Sequence, residues 1–448
     1  MAVMPEKRTD TPADPAGTPT SQAGPAIPPA PNLGRTVRKV DLVVNVDTSQ
    51  LPHQKNQRGE LGKALFNWYR NTVSKDPLTR VSAPNHFADR RHYLITAVGQ
   101  APKGDVNPRR VPVSDPAAMT RHIKRVARYM GADIVRIAPT HPSFLYAGKR
   151  YVQDGTAEDG YEHLSQEELA RRFPYIIVAT TAWDYNLLQA HRHHIGDASY
   201  HFSQMRANMI LKSLEGYVRE LGYTAIRGAS NPQGAGLAAG VGELGRNGML
   251  ISEKFGARIH MPDPIMTDLP LVPDEPIDIG VEDFCKICRK CAITCPTNSI
   301  TFDGKVVHNG FEKYKINWQT CYRLRPFVVD YWGSCLTCVT VCPYTKPNVW
   351  WRTLAVSSLR ACPIPLRPPL VRALKWIDDR VWGVTRQKRV RWLGYDSGIK
   401  PGEKACTVAG CTAAHVEAGR SAKVEAGDVG YYAPLKENTN RFVKRDRG

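Results

Sequence analysis

Apolar positions recur along this chain at two different periods, and the change from one to the other marks its elements. In "AAMTRHIKRVARYMGADIVRIAP" (117–139), Ile123, Val126, Ala127 and Met130 share one helical face, Gly131 offers a stop, and the apolar run "DIVRIA" follows. That order predicts a helix, a glycine cap and a buried strand. The rhythm returns in "MRANMILKSLEGYVRELGYTAIRGA" (205–229), where Ile210, Leu214, Val218 and Leu221 precede Gly222 and a strand-like "YTAI". "PYIIVATTAWDY" (174–185) is a third buried-strand candidate. Alternating helices and strands predict an α/β (α+β) domain in the middle of the chain.

A glycine-rich segment, "GAGLAAGVGELGRNGMLIS" (234–252), comes next. It invites comparison with a dinucleotide fingerprint, which needs a strand before it, a helix after it and an acidic residue about twenty positions on. Glu253 falls near that distance, but glycines continue through 240, 242, 245 and 248 without a clear helix. A close-packed loop pressed against a large flat ligand fits better than nicotinamide binding. The texture changes near 281, where cysteines enter. Asp303-Gly304 in "CPTNSITFDGKVVH" (295–308) predicts a small hairpin, and past 345 the chain reads as basic helices and loops dotted with tryptophan.

Length and composition narrow the possibilities. The 448 residues predict two or three domains with cores that need no staples, so the 11 cysteines are not there to hold a miniature fold together. Residues 1–34 are rich in Pro, Ala, Thr and Gly and predict a disordered leader with no secretory h-region. No run of 18 apolar residues occurs. These features predict a cytoplasmic protein without integral membrane contact, in which thiols stay reduced. The formal charge of +19 admits nucleic acid, a membrane surface or an acidic protein, and much of it sits in the tail, as in "RQKRVRW" (386–392). Charge alone does not choose among them.

Eight cysteines fall in two compact runs. "FCKICRKCAITCP" (284–296) has the C-x2-C-x2-C-x3-C-P spacing of bacterial ferredoxins, in which three cysteines wrap one iron–sulfur cube and the fourth turns to another. "SCLTCVTVCPYTKP" (334–347) is one cysteine short, and Cys321 is the available substitute. This assigns Cys285, Cys288, Cys291 and Cys342 to one cluster and Cys295, Cys321, Cys335 and Cys338 to the other. Zinc prefers paired knuckles, and crowded thiols in a reducing compartment disfavour disulfides. Cys362, Cys406 and Cys411 read as buried or incidental thiols. Two 4Fe-4S clusters make an electron wire that needs a terminus.

The order "RELGYTAI", Asn231, "AGVGELGRNGMLIS", "FGARI", "TDLPLVPDEPID" and the two cysteine runs resembles the corrinoid-dependent reductive dehalogenases over roughly residues 170–350. The resemblance implies a nitroreductase-like cobalamin-binding core over 171–275, preceded by the disordered leader over 1–34 and an N-terminal α/β region over 35–170. A ferredoxin-like two-cluster module over 276–350 and a basic region over 351–448 would follow. Cobalamin would be held base-off, in keeping with the absence of D-x-H-x-x-G, and the loop at Gly240, Gly242, Gly245, Arg246, Asn247 and Gly248 would lie against the corrin ring or its tail. The implied activity is cob(I)alamin-dependent removal of halide from a small organohalide, fed by a low-potential donor such as ferredoxin or flavodoxin. Matching the family's landmarks places the proton donor at Tyr200, its cation at Arg258 or His260, and a substrate-positioning residue at Asn231. The missing export address departs from respiratory members. "AHRHHIGD" (190–197) is not a family feature and reads as surface histidines. Two alternatives remain. One is an epoxyqueuosine reductase-like enzyme acting on tRNA, which the basic charge suits but "TDLPLVPDEPID" and the separated Cys321 do not. The other is a cluster-bearing electron-transfer subunit without corrinoid.

Overall fold

The computed structural model describes residues 31–41, 101–147, 164–324 and 334–383, scattered positions between 43 and 98, and two short strands at Arg391–Trp392 and Tyr395–Asp396. The leader through residue 30, Cys406, Cys411 and most of the basic tail lie outside the described residues. Leu33, the last apolar residue of the expected leader, is buried in the main core.

Strand β1 (Arg38–Lys39) opens the described chain. Helix α1 (Pro116–Tyr129) starts because Asp115 accepts from Ala117 N at 2.8 Å and Pro116 supplies a fixed φ at the first helical position. It buries Thr120, Ile123 and Ala127 and leads into β2 (Ile134–Pro139). Helix α2 (Gln166–Arg172) carries a capping box between Ser165 and Glu168 and precedes β3 (Tyr175–Ala182). Helix α3 (His194–Glu220) is 27 residues long and begins well before the periodic stretch that predicts it. Then come β4 (Ala225–Ile226), α4 (Pro232–Ala238), β5 (Glu243–Leu244), β6 (Leu250–Ile251), β7 (Ile259–His260) and β8 (Ile265–Thr267).

The main sheet runs in the order β2-β3-β8-β4, with β7 paired to the end of β3, and every one of these pairings is antiparallel. The alternating rhythm of the sequence therefore builds an α+β sheet rather than parallel crossovers. Strand β3 is buried on both faces, which explains its unbroken apolar run. Ile176 and Val178 point into a core with Phe144, Leu237 and Met266, whereas Ile177 and Ala179 point into one with Ile123, Leu211 and Leu214. Helices α1 and α3 cover the second face and α4 the first.

The cysteine module holds α5 (Val281–Ile287), α6 (Lys290–Ile293), β9 (Val306–His308) and β10 (Phe311–Lys313), and ends in two amphipathic helices, α7 (Trp350–Ala361) and α8 (Arg367–Val381). Its hairpin turns at Asn309-Gly310, with φ of 53° and 83°, and not at Asp303-Gly304. Both residues of such a two-residue turn need positive φ, which Asn-Gly supplies at little cost. Strand β1 adds to β10, so the start of the described chain belongs to this module's sheet. Arg35 (2.8 Å to Asp283) and Arg367 (2.8 Å to Asp278, 3.2 Å to Asp283) then tie that start, the linker, α5 and α8 into one network. No described helix is long and apolar enough to cross a membrane.

Gly131 and Gly222 both stop helices as expected, at φ of 101° and 83°. They differ in space: a Cβ at Gly222 would lie 2.5 Å from Arg110 Cα, whereas at Gly131 the nearest atom is 3.8 Å away. Both alanine substitutions carry left-handed strain, and Gly222→Ala adds a backbone clash. Chemical denaturation should show Gly222→Ala destabilised by about 2–4 kcal/mol and Gly131→Ala by about 1 kcal/mol. Equal losses would refute the steric argument.

Candidate functional site

The first cysteine run places Cys285 on α5, Cys288 at its end and Cys291 on α6, and Cys342 returns from the second run to join them. These four line one cavity with Arg246, Phe284 and Tyr344. Cys338, in a short helix at Thr337–Thr340, has Cys321, Cys295 and Cys335 as its strongest electrostatic neighbours. Among the described residues no three His, Cys, Asp or Glu side chains close on a single ion.

Burial pushes the Cys288 thiol up to about 11, and burial together with neighbouring thiols raises Cys285, Cys291 and Cys338 as well. Thiolates in such a place need positive charge among them. Amide donors already point at the sulfurs: Arg246 N lies 3.4 Å from Cys285 Sγ and Ser299 N 3.3 Å from Cys295 Sγ. The Thr337 hydroxyl lies 3.1 Å from Cys335 Sγ. The donor set fits iron–sulfur ligation, in which N–H···S bonds tune the potential.

The glycine-rich segment lies between core and module. Contrary to the sequence reading, its first part is helical: α4 starts on Asn231, whose Oδ1 accepts from Gln233 N at 2.9 Å, and Pro232. Gly234 and Gly236 lie within it because Phe144 and Leu250 occupy the space a Cβ would need. Farther on, a Cβ would come within 2.1 Å of Glu275 O at Gly240, 2.6 Å of Ile251 O at Gly242, 2.5 Å of Ile251 Cδ1 at Gly245 and 2.2 Å of Ile316 Cδ1 at Gly248. Protein neighbours thus account for these glycines. The Arg246 guanidinium donates to the carbonyls of Cys285 (3.0 Å), Thr301 (3.0 Å) and Asp303 (2.7 Å) and lies over Tyr314, and Asn247 Nδ2 donates to Cys338 O at 3.1 Å. Both side chains are directed into the cysteine module.

Tyr200 is half-buried on α3. Trp183 meets its ring edge-on at 5.2 Å, His260 does so at 5.4 Å, and His201 lies at 4.9 Å. Arg258 takes a different direction, donating through Nη1 to Trp183 O with its guanidinium over Phe255. Of the two candidate cations, His260 is therefore the one with its ring against Tyr200. His260 reaches that place because β7 pairs with the end of β3, opposite Thr181. Trp183 Nε1 and Arg258 Nε are buried with no acceptor among the described residues. A buried indole donor left over against Tyr200 fits a ligand bearing a polar group.

The histidine segment needs correction. His191 and His193 are buried, not at the surface. Burial lowers His191 to about 3 and His193 to about 4, so both are neutral at pH 7. The segment packs against the second cysteine run: Arg192, held at φ 65°, donates its N–H to Cys335 O at 3.0 Å. Asp197 accepts from Ser334 N at 2.8 Å and meets His201 Nε2 at 2.6 Å. Sequence reasoning missed this contact because nothing local announces it.

The model of a 4Fe-4S dicluster domain matches residues 284–346. Tetrachloroethene reductive dehalogenase of Sulfurospirillum multivorans is 31% identical over 270 residues, covering 53% of this chain and 52% of its own. That of Dehalobacter restrictus is 28% identical over 328 residues, covering 64% and 55%. The structure of the catabolic reductive dehalogenase NpRdhA superposes with a TM-score of 0.61 at 23% identity, over 83% of this chain and 53% of that one. The chain is thus similar in sequence to reductive dehalogenases and shares the fold of one of them. It spans about half the length of the relatives it matches.

In this chain Glu243 fastens core to module: its Oε2 accepts from Ile279 N (2.7 Å) and Val281 N (3.2 Å) at the start of α5. Burial pushes the carboxyl up to about 7 despite those donors. The folded state holds this proton more tightly than the unfolded chain, so stability falls as pH rises from about 4.5 to about 7 and then levels off. Glu243→Gln keeps an accepting oxygen and carries no charge. Urea titrations between pH 5 and 8 should show wild type losing about 1–3 kcal/mol more than the variant across that range. Parallel curves would remove the titration from Glu243.

Proposed function

We propose that this chain is a reductive dehalogenase that replaces halogen by hydrogen on a small organohalide, taking in two electrons and a proton and releasing halide. The observation that carries this reading is the adjacency of phenol and cysteine module. Helix α3 bears Tyr200, and the first turn of the same helix, through Asp197, is bonded to the backbone next to Cys335.

In this reading Cys285, Cys288, Cys291 and Cys342 hold one 4Fe-4S cluster and Cys295, Cys321, Cys335 and Cys338 the other. The nitroreductase-like core holds base-off cobalamin, which supplies the low-valent cobalt that acts on the carbon–halogen bond. Trp183 Nε1 is the donor available to a ligand group beside Tyr200, and Arg258 Nε is a second buried donor. The loop from Gly240 through Gly248, whose glycines serve protein packing and whose Arg246 and Asn247 reach into the module, would back the corrinoid site. Tyr200 donates the proton. His260, ring to ring with it, favours the phenolate left behind. The Asn231 oxygen is occupied in capping α4, so its amide nitrogen is the group that would meet the substrate. "TDLPLVPDEPID" favours this reading over the tRNA-modifying alternative. The segment also braces the fold, because Asp274 accepts from Lys124 (2.6 Å) and Ile137 N (2.8 Å), and Asp278 accepts from Arg367.

Tyr200→Phe keeps the ring and removes the hydroxyl. Cobalamin and both clusters should load and be reduced as in wild type, while turnover of a halogenated substrate falls about 100-fold or more. Near wild-type turnover by the fully loaded variant would exclude Tyr200 as the acid.

The cluster assignment has its own test by electron paramagnetic resonance of the reduced, reconstituted protein. Cys288→Ser and Cys342→Ser should perturb one cluster signal, and Cys295→Ser and Cys335→Ser the other, from about eight irons in the intact protein. If Cys342→Ser instead perturbs the signal that Cys335→Ser perturbs, the two runs do not exchange ligands.

A further inference from the structure

The outer face of α8 carries Arg372, Trp376 and Arg380 at four-residue spacing, which sets them in one row along the helix. Ile377 and Val381 lie beside the row. Trp376 is 58% exposed, Ile377 47% and Val381 62%, an unusual concentration of apolar surface on one short stretch. The Arg380 guanidinium lies 4.9 Å from the centre of the Trp376 ring, so aromatic and charge present a single surface.

Beneath this face lies the first cysteine quartet. Lys290, between Cys288 and Cys291 in sequence, is buried and bonded to Asp378, to Asp379 at 2.7 Å and to Gly383 O at 3.4 Å. Those bonds hold the C-terminal end of α8 against the cysteine loop. Lys286, in the last turn of α5, and Arg289, on the loop, are exposed. The exposed indole thus lies against Arg380, one turn from Arg372, on the helix whose end is bonded to the loop of the first quartet.

We infer that this face of α8 is the docking site for an acidic one-electron carrier protein of the flavodoxin or ferredoxin class. The inference rests on the iron–sulfur reading proposed above, and what it adds is the place of contact. At each encounter the carrier is oxidised by one electron and the cluster held by the first quartet is reduced by one, so two encounters serve each halide released. Charge decides the occupant. A second copy of the chain would bring arginine rows face to face, whereas an acidic rim around an apolar centre would meet Trp376 and satisfy Arg372 and Arg380.

The test uses the reconstituted protein and a flavodoxin of strongly negative net charge, with two readouts. Calorimetry measures binding of the oxidised flavodoxin, and stopped-flow absorbance measures cluster bleaching by its hydroquinone and, separately, by dithionite. Trp376→Ala and Arg380→Glu should each weaken binding about tenfold and slow flavodoxin-driven bleaching to match, and wild-type binding should weaken as salt rises. Bleaching by dithionite should not change, and Arg121→Glu, on α1, should leave every readout at wild type. Unchanged affinity in both α8 variants overturns the inference, as does an equal effect of Arg121→Glu. Binding to vesicles of anionic lipid, lost in Trp376→Ala, with none to flavodoxin, assigns the face to a membrane and overturns it too. Failure of dithionite to bleach the wild type would instead strike the iron–sulfur reading, while the calorimetry still decides the docking.

Discussion

Buried sulfur that must carry negative charge is the constraint from which the other features of this structure follow. Within the protein alone, burial and mutual repulsion hold the thiols protonated, and they become ligands only when cations sit among them. Each quartet therefore has to be assembled before it can function, and assembly draws on distant stretches of chain. Cys342 reaches back to the first run, and Cys321 and Cys295 converge on the second. The interleaving turns two short motifs into one folded body.

That body is fastened to the core by polar groups acting at a distance in sequence. Arg246 commits its guanidinium to three carbonyls of the module, Asn247 takes a fourth and Glu243 receives two amides at the start of α5. All three come from one loop, whose glycines are demanded by close backbone and side-chain neighbours. A loop pressed so tightly can bring the cysteine backbone close without gaps. On the other side, the start of α3 touches the second run through Arg192 and Asp197. The segment that positions Tyr200 and the segment that carries the second cysteine run are thus mechanically continuous.

The main sheet gives this arrangement its rigidity. Strand β3, buried on both faces, carries Trp183 just past its end and pairs there with β7, so Trp183 and His260 reach Tyr200 from one edge of a fixed sheet. Elements with two buried faces have few ways to shift, which keeps the aromatic contacts around the phenol in register.

Whatever depends on neighbours a few residues apart can be read from the chain in order. Helical faces at 123–130 and 210–221, the stops at Gly131 and Gly222, the apolar strand at 175–182 and the ligand spacing of the two cysteine runs are all local in this sense. The Asn309-Gly310 turn is equally local, and Asp303-Gly304 a few residues before it gives the same signal without making the turn. Features that turn on pairings between remote segments appear only once the chain is folded. Such pairings make the sheet antiparallel, bury His191 and His193 against the second cysteine run, and turn Arg246 away from the core and into the module. They also separate Arg258 from His260, which lie two residues apart and look interchangeable in sequence. Only the register of β7 on β3 sets the imidazole against Tyr200 and sends the guanidinium to the carbonyl of Trp183.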